Sequence, residues 1–244
     1  MTAPDVPADA RLVPRWGLGD ALLGWLGGNL LGAVASIVIL AAAGYTGEQV
    51  RDNAVPLWVL ALQYPPLWVG FIGVPLWAAA VKGRGWVRDF HATIRARDVP
   101  VAAGIGLLTQ LVVVPLVSWP VLWLSDTDVD ELGRPARELG DLASGPWNIV
   151  LLFLVVGIGA PVAEELFFRG LVLRAFEKRI GTGWAVVASS VVFGATHVQP
   201  LQFVALTAAG VVFALLVVRT GRLGAAVVGH MAFNCLTVAN LVWG

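Results

Sequence analysis

The chain has 244 residues, 58% hydrophobic and only 13% charged, with a mean hydropathy of +0.80 and a formal net charge of zero. Soluble domains carry about a quarter charged residues, so an ordinary soluble domain is excluded and the chain reads as a membrane protein. The balanced charge offers no basic footprint for nucleic acid, and a single cysteine excludes an internal disulfide or a cysteine-based metal cluster.

Residues 1–15, MTAPDVPADARLVPR, are polar and proline-rich and read as a disordered tail. Residues 16–125 hold three transmembrane helices, built on the uncharged runs 21–47, 53–81 and 99–125. Each is long enough for the roughly 20 apolar residues that a bilayer crossing needs. The first is too long for a cleavable signal peptide and lacks its basic head, so it is expected to be retained. In the second, Pro65-Pro66 and Pro75 predict a kink. Residues 126–146 read as an acidic loop, and 147–244 as the core of the molecule. That core contains the uncharged runs 142–163, 180–218 and 223–244. The run 180–218 is too long for one helix, and Pro200 suits the first turn of a new one. The fold class is therefore an all-α polytopic membrane protein, a bundle of about seven helices, because lipid forbids open backbone.

Lysine and arginine set the orientation. With the N-terminus inside, inner segments hold twelve basic residues and outer segments three, with Arg169 left over inside the membrane. The reading is an integral protein of a bacterial cytoplasmic membrane with a cytoplasmic N-terminus.

The segment Pro161–Gly170, PVAEELFFRG, places three formal charges at the end of an apolar run. Each costs about 2.5–3.5 kcal/mol near the bilayer centre. On a helix Glu165 and Arg169 are spaced i,i+4 with the acid first, the favourable direction for an ion pair. Glu164 lies about 100° around the helix and points elsewhere. Two adjacent carboxylates in a low dielectric oppose each other's ionisation, which suits a general acid or base. Taken alone, the cluster reads equally as a structural charge network.

Two further motifs alter that balance. In VVFGATHVQ, His197 follows Phe193 at i,i+4, and IGTG (residues 180–183) reads as a tight turn between antiparallel helices. Glu164 lies 17 residues before Gly181 and His197 lies 16 after it. At 1.5 Å per residue both stand about 25 Å from the turn, hence at one depth. In VVGHMAFNC, His230 and Asn234 are again i,i+4 and share a helical face. Measured from Gly221 they lie about 13 and 19 Å along the helix, one or two turns shallower than Glu164. Cys235 beside them reads as a small core residue.

Together E-E-x-x-x-R (Glu164, Glu165, Arg169), F-x-x-x-H (Phe193, His197) and H-x-x-x-N (His230, Asn234) resemble, in that order, the CPBP family of intramembrane glutamic proteases. This family is also called the CAAX protease and bacteriocin-processing, or Abi, family and includes the Ras-converting CAAX endopeptidase. The resemblance covers roughly residues 145–244. It implies an endopeptidase without a cofactor, in which Glu164 and His197 activate water and His230 and Asn234 form the oxyanion hole. Glu165 and Arg169 would be the supporting ion pair, with Phe193 beside them. The implied partners are a membrane-associated peptide or protein substrate and the lipid bilayer. Family members are often drawn with eight spans, one more than is counted here.

Two other readings compete. Glu164, His197 and His230 are possible ligands of a catalytic zinc, although H-E-x-x-H is missing. Alternatively, a non-catalytic membrane scaffold or bacteriocin-immunity protein would keep the polar cluster for packing alone.

Overall fold

The structure, a computed structural model, describes residues 14–52 and 54–244. Most of the expected polar tail thus lies outside the described residues. Among the described residues there is no strand, and six helices are long and apolar enough to cross a bilayer. They are α1 (Leu18–Ala42), α2 (Leu57–Lys82), α3 (Asp98–Ser125), α5 (Pro146–Thr196), α6 (Phe203–Thr220) and α7 (Leu223–Trp243). Between α3 and α5 runs a shorter helix, α4 (Val129–Asp141). The chain is an all-α polytopic membrane protein.

A straight helix of 51 residues, the length of α5, would run about 76 Å, more than twice the hydrocarbon thickness of a bilayer. It does not run straight, because Gly181 breaks it at φ 75°, ψ 165°. Beyond the break the second limb packs back on the first. Phe168 meets Phe193 edge-on at 5.1 Å between ring centroids, and Leu173, Ala185 and Val186 share one buried cluster. Phe168 and Phe193 stand 13 residues before and 12 after Gly181, the register of an antiparallel hairpin. Counting both limbs, the chain passes along the bundle seven times.

Three membrane helices share a device for carrying proline. A wide π-helical turn comes just ahead of Pro75 in α2 (Val69–Gly73), of Pro115 in α3 (Thr109–Val113) and of Pro161 in α5 (Phe153–Gly159). Proline has no N–H, and its ring clashes with the carbonyl four residues back. Widening the ladder to five-residue steps relieves the clash, and the helix continues. Thus Val114 donates to the Thr109 carbonyl and Ala160 to that of Val155.

The end of the bundle that carries Lys82 and Asp98 is closed by paired charges. Asp89 accepts from the Trp16 indole at 2.8 Å and from the Arg84 guanidinium at 3.1 Å. Lys82 pairs with Asp20, and Arg222 grips both oxygens of Asp98. That contact raises the pKa of Arg222. The backbone between α2 and α3 passes beneath α7, where His91 and Thr93 carbonyls accept from the amides of Leu223 and Gly224.

At the opposite end, the segment expected to be an acidic loop over 126–146 is largely helical. Its period was obscured by Pro135 and by many charges. Leu139 and Leu142 nevertheless fall on one face and pack with Leu57, Leu152 and Val238. The helix is amphipathic and lies across the bundle end, with the Leu132 carbonyl accepting from Gln202 Nε2 at 2.7 Å.

The backbone at Gly181 lies in a region open essentially to glycine alone, and a side chain there costs about 1–3 kcal/mol. Gly181→Ala is expected to lower stability by that amount in thermal unfolding of the detergent-solubilised protein. Gly183→Ala, in helical backbone with nothing within 4 Å of the added methyl, is expected to be neutral or stabilising.

Candidate active site

The first limb of α5 delivers both carboxylates. Glu165 opens a second π-helical stretch, Glu165–Val172, and is fully buried, as is Arg169. Arg169 Nη1 donates to Glu165 Oε1 at 2.7 Å, and Nη2 donates to the Gly210 carbonyl of α6 at 3.0 Å. The guanidinium lies over the Phe193 ring at 4.4 Å and near Phe213 at 5.6 Å. The expected i,i+4 ion pair thus forms inside a cage of aromatic faces, the arrangement that best supports a buried cation.

His230, on α7, joins that pair. Its Nδ1 stands 2.8 Å from Glu165 Oε1, and its ring stacks on Phe213 at 4.6 Å with 20° between planes. An ionised carboxylate only accepts, so Nδ1 carries the proton and Nε2 is the edge left for chemistry. That edge is 3.8 Å from Glu164 Oε2. The sequence placed His230 one or two turns shallower than Glu164; packing brings them level. One cause is visible beside the histidine, where the backbones of Gly106 in α3 and Gly229 in α7 touch. A methyl on Gly106 would collide with the Gly229 carbonyl. Glycine is therefore needed for α7 to approach α3 this closely.

Glu164 differs from its neighbour. Its side chain is 20% exposed, against 0% for Glu165, and the cation of the pair goes to Glu165. His197 follows the last residue of α5, and Val198 next to it adopts a left-handed backbone, φ 54°, that terminates the helix. The His197 Nδ1 lies 2.8 Å from the Phe193 carbonyl. A carbonyl accepts, so Nδ1–H donates and Nε2 carries the lone pair. Phe193 also touches both histidines edge-on, at 4.9 Å from His197 and 5.8 Å from His230. Glu164 and His197 make no direct hydrogen bond to each other. They do lie one turn beyond the Phe168–Phe193 contact on their two limbs, the level the hairpin spacing predicts.

Asn234 stands one turn beyond His230, and its Nδ2 donates to the Val156 carbonyl of α5 at 2.7 Å. Among the described residues no three His, Cys, Asp or Glu side chains are grouped as a metal ion would need. Glu164, His197 and His230 therefore do not form a ready zinc triad.

Several contributors escaped sequence reading. Gly210 acts through its carbonyl and Phe213 through its ring, and neither has a motif spacing to the charged residues. Tyr64 of α2 lies within electrostatic range of Glu164, across a sequence gap that no local period can bridge.

The class defined so far is a polytopic membrane protein with a buried glutamate–arginine–histidine cluster and a second histidine beside it. Residues 146–236 match the family described as "Type II CAAX prenyl endopeptidase Rce1-like". The chain is also 31% identical over 107 residues to "Putative membrane peptidase YdiL" of Bacillus subtilis (strain 168), a match covering 44% of each chain. The chain thus aligns with less than half the length of that curated relative. No solved structure gives a significant match. The resemblance to the CAAX protease family read from the three motifs holds over this segment, which includes every one of the motif residues.

Removing one member of a buried ion pair typically costs about 3–5 kcal/mol, because the other is left without compensation. Arg169→Met is expected to lose that much in equilibrium unfolding. A Glu165→Leu/Arg169→Met double variant is expected to regain more than half of it while losing function.

Proposed function

We propose that this chain is an intramembrane endopeptidase that hydrolyses a peptide bond in a membrane-associated protein or peptide. The observation that carries the reading is the division of labour between the two glutamates. Glu165 is consumed by Arg169 and His230 Nδ1, whereas Glu164 pairs with no lysine or arginine among the described residues and faces His230 Nε2. It lies one turn beyond Phe168 on its limb, as His197 lies one turn beyond Phe193 on the other, and the contact of those two rings supports a common depth.

A water molecule held between Glu164 and His197 Nε2 gives its proton to Glu164 as its oxygen attacks the scissile carbonyl. The carbonyl π electrons move onto oxygen. His230 Nε2–H, with the ring protonated at both nitrogens and Nδ1–H held by Glu165, and the Asn234 amide donate to that oxyanion. Collapse reforms the carbonyl and breaks the C–N bond. The proton taken up by Glu164 passes to the departing amine. No step needs a cofactor or a metal.

The substrate is proposed to be seated in a cavity of about 640 Å³ between α3, α4, α6 and α7, within the range of binding pockets. Its walls mix apolar side chains with Gln110, Ser118, Gln202, Thr237 and Asn240. Ser118 Oγ and Gln110 Oε1 are buried without partners among the described residues, and a peptide backbone would supply them. Phe233 lines the cavity, and its ring centroid is 6.2 Å from that of His230. The bias of basic residues supports an N-terminus on the cytoplasmic side.

Glu164→Ala is expected to abolish cleavage of a peptide library by the reconstituted protein, with accumulation and unfolding temperature unchanged. Equal processing by wild type and variant would remove Glu164 as the base, and no processing by either would mean that the chain works as a scaffold. Ala136→Trp, which fills the cavity from α4, is expected to raise KM at least tenfold with little change in kcat. An unaltered KM would place the substrate elsewhere.

A further inference from the structure

The seat of Asn234 is made by a missing backbone hydrogen. In the wide turn of α5, Ala160 donates to the carbonyl five residues back, that of Val155. The next amide in that register would serve Val156. Residue 161 is proline, which has no N–H, so the Val156 carbonyl is left open inside the bundle. Leaving such a carbonyl unpaired is costly, and Asn234 Nδ2 occupies it at 2.7 Å. One residue on, the Cys235 thiol reaches the Gly157 carbonyl at 3.7 Å. The approach depends on Gly157, since a methyl there would meet Cys235 Sγ at 2.9 Å.

We infer that Pro161 is a positioning residue for catalysis: it leaves the Val156 carbonyl free, and that carbonyl fixes which end of the Asn234 amide faces the substrate. An asparagine amide has two donors at one end and an acceptor at the other. Rotated by half a turn it would present its oxygen to a developing oxyanion and repel it. A carbonyl accepts only, so the Val156 contact holds the NH₂ end in place. One N–H is used on Val156 and the second is left for the substrate. The inference rests on the proposed role of Asn234 as an oxyanion donor. It explains why a proline sits three residues before the catalytic carboxylate, within the motif PVAEELFFRG. The prolines of α2 and α3, Pro75 and Pro115, follow the same kind of turn without serving a side chain of the site.

The test returns the missing hydrogen. Pro161→Ala restores an N–H that competes for the Val156 carbonyl. It is expected to lower kcat about tenfold with KM unchanged, while Pro75→Ala and Pro115→Ala leave kcat within twofold. Loss of an oxyanion donor costs on the order of 10²–10³ in kcat, so Asn234→Ala is the reference. In an Asn234→Ala background, Pro161→Ala is expected to have no further effect on kcat. The α-hydroxy analogue of alanine, introduced at 161 by nonsense suppression, has neither ring nor N–H and is expected to restore wild-type kcat. That variant also covers the case in which Pro161→Ala fails to fold through loss of the ring. Additive effects of Pro161→Ala and Asn234→Ala, or an ester variant as impaired as the alanine variant, would overturn the inference. So would a Pro161→Ala enzyme with wild-type kcat. If Glu164→Ala retained cleavage, the proposed function would fall first, and the two failures are thereby told apart.

Discussion

The site depends on one buried ion pair. Glu165 and Arg169 lie within a single turn of α5, fully buried, yet their contacts reach three other parts of the bundle. Phe193 comes from the second limb of α5, Gly210 and Phe213 from α6, and His230 from α7. Two isolated charges at this depth would cost about 5–7 kcal/mol in sum on the insertion scale. Their mutual attraction returns much of that, but well-packed apolar residues often do as well or better. Stability alone therefore gives weak reason for the pair. Its geometric consequence is the stronger reason: the imidazole of His230 has one orientation and one edge directed at Glu164.

Packing in a bilayer gains little from the hydrophobic effect between helices, since lipid tails are as apolar as leucine. Close backbone approach and polar contacts decide which helices meet. The Gly106–Gly229 contact lets α7 lie close against α3, and the hairpin at Gly181 brings Phe193 onto Phe168. The free carbonyl of Val156 sets the rotation of Asn234. Each candidate side chain is thus fixed by backbone rather than by other side chains alone, which keeps polar groups aligned in an apolar surround.

Much of this was legible in sequence. The ion pair followed from i,i+4 spacing, and the split between Glu164 and Glu165 from the helical angle between neighbours. The hairpin was readable from IGTG, and the common depth of Glu164 and His197 from counting outward on both sides. The level of His230 was misjudged by one or two turns, because the count from Gly221 carries no information on how far neighbouring backbones interpenetrate. The α4 helix was hidden behind Pro135 and its charges, since its apolar face exists only against α2, α5 and α7. Gly210, Phe213 and the Val156 carbonyl could not have been found. Their contributions are a backbone oxygen or a ring face presented across sequence distances that no motif spans.

The chain has three histidines, so a direct measurement of the central contact is feasible. Nitrogen NMR of histidine-labelled protein in nanodiscs, with His91→Gln and His197→Gln for assignment, reports which ring nitrogen of His230 holds a proton. The expected result is an imidazolium with a proton on each ring nitrogen, whose strongly hydrogen-bonded Nδ1–H survives Glu164→Ala and disappears in Glu165→Ala. A His230 signal averaged between tautomers, or one indifferent to Glu165→Ala, would contradict this account of the site.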